Sequence, residues 1–221
     1  MTDTTDSAEG GVHVSQMTDS NRTTVLAGML VLASAALGLW SQADPHPIAA
    51  TAASVAFLAG IAVLIVGSRG EPGLARASTV ASTGLILFAL SDVVSRSLLS
   101  LSRDGDAAAL RSVGLVVAVL QVLALAGGVT GAVLVVRRRL LEVWTARALM
   151  VVVAARVVFA ALAFVPLADL PILLAVTRAS LVVPLSLLVF AIALLLHGRT
   201  ALVTGRAHRF IEAWRSSTDV V

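Results

Sequence analysis

Six long apolar blocks, each about the length needed to cross a bilayer, constrain this chain more than any other feature. They are Thr24–Trp40, Ile48–Gly67, Ser78–Leu101, Val113–Val136, Val143–Val165 and Pro171–Leu196. A helix rises about 1.5 Å per residue, so about 20 residues traverse a hydrocarbon core of about 30 Å. None of the blocks alternates polar and apolar residues over about ten positions, as a membrane β-strand does. Lipid offers the backbone no hydrogen-bonding partner, which leaves helices. The expected fold is all-α: a polytopic integral membrane protein with six transmembrane helices.

Composition agrees. Hydrophobic residues make up 58% and charged residues 13%, whereas a soluble domain is about 45–50% apolar and about 25% charged. The chain has no Cys, which excludes disulfides, thiolate metal sites, iron–sulfur clusters and cysteine nucleophiles. Lys is also absent, and all 16 basic residues are Arg. No Schiff-base lysine or phosphate-loop lysine is therefore available. No cofactor is expected. The formal net charge is only +3, and the arginines sit beside apolar blocks, so no nucleic-acid partner is expected either.

Short connections join the blocks. Ser41–Pro47 carries Asp44-Pro45-His46-Pro47, which cannot continue a helix. Ser68–Ala77 contains Gly70, Pro72 and Gly73, and Ser102–Ser112 contains Arg103-Asp104-Gly105-Asp106. Arg137–Glu142 is basic, and Pro166–Pro171 is a proline-bracketed turn. No loop has room for a second domain. Residues 1–23 are polar and acidic and read as a disordered cytoplasmic tail. Met1-Thr2-Asp3-Thr4 is echoed by Met17-Thr18-Asp19-Ser20, which makes Met17 an alternative start. Residues 24–197 then form the transmembrane domain. Residues 198–221 form a basic cytoplasmic tail, whose Leu202, Phe210, Ile211 and Trp214 share a side flanked by Arg206, Arg209 and Arg215. That pattern predicts an amphipathic helix lying on an anionic membrane surface, or docking a protein partner.

Arginine placement sets the orientation. With the N-terminus inside, Arg22, Arg69, Arg76, Arg137, Arg138, Arg139, Arg147, Arg199, Arg206, Arg209 and Arg215 fall on the inner side. Only Arg103 and Arg111 lie in outer loops. The positive-inside bias therefore predicts two cytoplasmic termini. Heavy Ala, Val and Arg use without Lys suggests a bacterial source and hence the inner membrane. A competing reading takes residues 24–43 as a signal peptide cut after Ser41-Gln42-Ala43, but the apolar stretch is longer than the 7–15 residues usual there.

Few residues inside the blocks are suited to chemistry. Asp92 is the single carboxylate within an apolar block, and Arg96 follows at i+4 on the same helical face. Arg156 lies near the middle of the fifth block, and Arg178 lies near the start of the sixth. A charge at such depth costs at least about 2.5–3.5 kcal/mol, so these four should face the bundle interior and find partners. They predict either an Asp–Arg network binding helices together or, because one Asp cannot neutralise three Arg, an outward-facing site for an anionic lipid or small anion. Gln121 is the other deep polar residue and is expected to hydrogen-bond across helices. Gly127, Gly128 and Gly131 offer a small-residue face for close packing.

No enzyme signature stands out. The histidines, His13, His46, His197 and His208, show no paired spacing and none lies at mid-membrane depth, which argues against haem or zinc. Arg103–Arg111 faintly resembles the start of the CDP-alcohol phosphotransferase signature. Arg111 is displaced from that pattern and Val113–Val136 contains no Asp, so the family's metal site cannot be assembled. The expected function is a non-enzymatic accessory subunit that binds partners or lipid. The alternative is a small transporter or solute-binding component using the Asp/Arg cluster.

Overall fold

The computed structural model describes residues 10–44, 47–67, 73–101, 107–162 and 180–198. All secondary structure among them is helical. The helices are α1 (Gly10–Ala43), α2 (Pro47–Val66), α3 (Leu74–Ala77), α4 (Thr79–Leu101), α5 (Ala107–Arg137) and α6 (Val143–Leu162), followed by α7 (Val182–Gly198).

Five helices are long and apolar enough to cross a membrane: Thr23–Ala43 of α1, α2, Thr79–Leu98 of α4, Leu110–Arg137 of α5, and α6. The first five apolar blocks thus each coincide with a candidate span. The sixth block is only partly described. Its helix α7 begins at Val182 and is shorter than a full span, and Pro171–Ala179, with Arg178, lies outside the described residues. So does the amphipathic segment expected over 199–221. Pro184 sits in the first turn of α7, where a missing N–H breaks no helical bond. The helix α1 starts at Gly10, upstream of the Thr24 boundary that hydropathy suggests. Helix propagation needs no new nucleus, so polar residues can extend a helix that apolar burial does not reach.

Sequential neighbours pack as antiparallel pairs: α1 on α2, α4 on α5 and α5 on α6, with α2 also packing on α4. Phe57, Ile61, Leu85, Phe88, Leu149 and Phe190 form the centre of the core. Small residues let the backbones meet. A Cβ on Gly84 would lie 2.3 Å from the Gly127 carbonyl oxygen, and one on Gly128 would lie 2.6 Å from the Phe88 ring. The expected glycine face of α5 is therefore the α4 contact surface. Gly60, which shares small-xxx-small spacing with Ala56, packs against Val31 and Ala27 of α1. Gly28 and Gly38 of α1 lie under Leu195 and Pro184, which brings α7 alongside α1. The helix α5 is peripheral: 17% of its apolar stretch is buried, against 39–44% for the other four spans. Trp40 and Trp144, both exposed, mark opposite ends of the bundle, at the close of α1 and the start of α6.

The end of α5 shows how the chain reverses. Leu140 N–H bonds the Val135 carbonyl at 3.0 Å and Arg139 N–H bonds that of Val136 at 3.2 Å, a Schellman arrangement. It places Arg139 at φ 51°, the left-handed position that glycine fills most easily. At the far end of α7, His197 Nδ1 meets the Glu142 carboxylate and ties the close of that helix to the start of α6.

Replacing Gly84 by Ala should cost about 1–3 kcal/mol, because the α4 and α5 backbones must separate. Gly114→Ala on the open side of α5, where an added Cβ meets nothing within 4 Å, should instead gain about 0.5–1 kcal/mol through helix propensity. Thermal unfolding of the two variants in the same detergent will compare them.

Candidate functional site

The site is assembled from three helices whose partners are one or two turns apart in sequence. On α2, Ser54 and Phe57 are spaced i,i+3; on α4, Phe88 and Asp92 are spaced i,i+4. Each pair therefore shares a face. Since α2 packs on α4, the two faces meet, and α6 presents Arg156 to both.

Asp92 is bonded at both oxygens. Its Oδ1 accepts from Arg156 Nη1 at 2.8 Å, and its Oδ2 accepts from Ser54 Oγ at 3.0 Å. The Ser54 hydroxyl also lies 3.2 Å from the Ala50 carbonyl, the usual resting place of a helical serine. The shorter bond goes to the charged acceptor, as expected for a charge-assisted contact.

Arg156 is held on its faces as well as at its tip. Its guanidinium carbon lies 5.5 Å from the centroid of Phe57 and 5.5 Å from that of Phe88. The two rings meet edge to face, with centroids 6.1 Å apart and planes at 81°. Each ring presents its electron-rich π system to the cation, a contribution of about 2 kcal/mol when desolvated. An intramembrane cation is thus stabilised by one carboxylate and two aromatic rings. Its Nε is buried and bonds to nothing among the described residues.

The ion pair lines one wall of a cleft of about 170 Å³. Ser34, Ser41 and Gln42 enter it from α1, Ser54 from α2, and Arg96 from α4. The start of α7 closes another side through Val183 and Pro184. Arg96 is exposed and forms no ion pair among the described residues. Among the described residues that line it are one carboxylate and two guanidiniums, a net positive charge.

The structure thus joins Asp92, Arg96 and Arg156, three of the four deep charges named from sequence. Arg178 lies outside the described residues. Gln121 is exposed on the peripheral part of α5 and takes no hydrogen bond among the described residues. Ser54, Phe57 and Phe88 were not singled out by the sequence. Serine and phenylalanine are ordinary in apolar helices, and only the meeting of α2 with α4 makes these three partners of a charge. Among the described residues no group of three or more His, Asp or Glu could hold a metal ion.

Comparison of the chain with protein-family models, curated proteins and solved structures finds no match.

Asp92→Ala should destabilise the protein by about 3–5 kcal/mol, since it strands Arg156 without a counter-charge. Adding Arg156→Met should recover a large part of that loss, because no uncompensated charge remains. A double-mutant cycle built from detergent melting curves would show this as strong coupling; additive losses would mean that the pair is not a unit.

Proposed function

We propose that this chain is a non-enzymatic multi-pass protein of the bacterial inner membrane that binds an anionic group, from a lipid or a solute, in the cleft beside Arg96. In this reading α7 belongs to a sixth span and both termini are cytoplasmic. The four segments on the inner side then carry eleven arginines, in keeping with the positive-inside bias. Asp92 and the cleft fall in the outer half of the bilayer, while the tail beyond residue 198 rests on the inner leaflet.

One observation carries the proposal: Arg96 reaches a polar cleft while the neighbouring carboxylate is already bound on both oxygens. If the charges served only to tie helices together, Asp92, Arg156 and Ser54 would suffice. A second guanidinium, exposed and without an ion pair among the described residues, suits a phosphate or carboxylate. The purely accessory reading is favoured by a different feature, the largely unburied α5, which suits lipid or a neighbouring subunit.

Arg96→Gln should weaken retention of anionic lipid or phosphate at least tenfold while leaving the melting temperature within a few degrees. Native mass spectrometry of the gently extracted protein reads both the bound species and their loss. Topology has a clean test because the chain contains no Cys. A membrane-impermeant maleimide added to intact cells should label Asp44→Cys and should spare Ser216→Cys until the membrane is opened. The reverse pattern would invert the proposed orientation.

A further inference from the structure

Away from the cleft, α5 carries one polar side chain deep in its apolar stretch. Gln121 is exposed there and forms no hydrogen bond among the described residues. Within the span Leu110–Arg137 it lies about 16 Å from one end and about 24 Å from the other, at about 1.5 Å per residue. That is too deep for its side chain to reach water at either surface. Thr130, exposed on the same helix, satisfies itself by donating to the Ala126 carbonyl at 2.8 Å. Gln121 has two donor hydrogens and an acceptor oxygen on its carboxamide. Hydrocarbon offers none of them a partner, and an amide left unbonded in it is strongly disfavoured. The carboxamide therefore calls for a protein partner beyond the described helices.

The surroundings of Gln121 admit one. Ala118 and Gly114 precede it by three and seven residues and share its side of the helix. Both are exposed, and a Cβ added to Gly114 would meet nothing within 4 Å. Small residues there let a second helix come close enough for polar side chains to meet across the gap. Symmetry then points to the occupant. Copies of one chain insert by one rule and share one orientation, so a closed pair has its two-fold axis along the membrane normal. In such a pair α5 meets its own copy in parallel, and each residue on the seam faces itself. A charged group there would repel its twin. A carboxamide both donates and accepts, so two of them satisfy each other. Arg111, a turn before Gly114, is exposed near the start of the helix, where its long side chain can turn outward to the headgroups.

We propose that a second copy of this chain docks on this side of α5 to form a parallel two-fold dimer, in which the Gln121 carboxamides of the two copies bond each other beside Ala118 and Gly114. The dimer goes beyond the anion-binding reading and does not depend on it: the residues that line the cleft beside Arg96 include none from α5.

The full-length protein, carrying a donor or an acceptor dye at its N-terminus, is reconstituted into phosphatidylcholine vesicles, and energy transfer between copies is followed as lipid is added. Gln121→Leu should weaken dimerisation about tenfold, the loss of two interhelical hydrogen bonds. Gln121→Asn keeps a self-complementary amide and should recover most of that loss. Gln121→Leu should melt in detergent together with the parent protein, which separates loss of association from loss of fold. Geometry is read independently, because the chain contains no Cys. Under mild oxidation in membranes, Ala118→Cys should give a disulfide-linked dimer, and Leu123→Cys, exposed on the far side of α5, should not. A protein that stays monomeric at high protein-to-lipid ratio overturns the inference. So does a dimer indifferent to Gln121→Leu, or one that cross-links through Leu123→Cys and not through Ala118→Cys.

Discussion

A carboxylate and a guanidinium inside a bilayer are tolerable only together, and the arrangement around Asp92 and Arg156 follows from that requirement. Each ion alone in hydrocarbon would cost several kcal/mol. Their 2.8 Å contact removes most of the electrostatic penalty and forces α4 and α6 to one depth and rotation. Ser54 adds α2 to the same carboxylate. Side chains of three helices are thereby held in register by two directional bonds. Apolar packing against lipid-like neighbours has little power to fix register by itself, because lipid chains are as apolar as leucine.

The aromatic rings complete that environment. Phe57 and Phe88 belong to the central core, yet they also flank the Arg156 guanidinium. A core built from aliphatic side chains alone would leave the cation's faces against saturated carbon. Here the same two residues fill volume and stabilise charge, so the polar site is continuous with the packing that supports it. The glycine contacts act in the same direction. With Gly84 against Gly127, α4 and α5 approach closely, and Phe88 fits over Gly128.

What distinguishes the cleft from a purely structural ion pair is imbalance. Among the described residues Arg96 has no ion pair and the Arg156 Nε has no acceptor. A bundle selected only for stability would tend to remove such groups or satisfy them. Both line one cavity, and that is the physical basis of the proposal that this part of the molecule binds an anion.

Hydropathy and residue type determined the helical class and the positions of five spans, because a backbone in lipid has so few alternatives. The same reasoning picked out Asp92, Arg96 and Arg156, because charge in an apolar block is conspicuous whatever the fold. The extent of α1 before Thr24 was not legible, since propagation of a helix depends on what precedes it and not on burial alone. Nor could sequence say which charge meets which. It left open an Asp92–Arg96 pair at i,i+4, whereas the fold gives Asp92 to Arg156 of another helix and gives Arg96 no ion pair among the described residues. That choice, with the roles of Ser54, Phe57 and Phe88, arises only when α2 packs on α4 and the Arg156 side chain reaches both from α6. Distance and orientation between helices are not encoded in the pattern of any one of them.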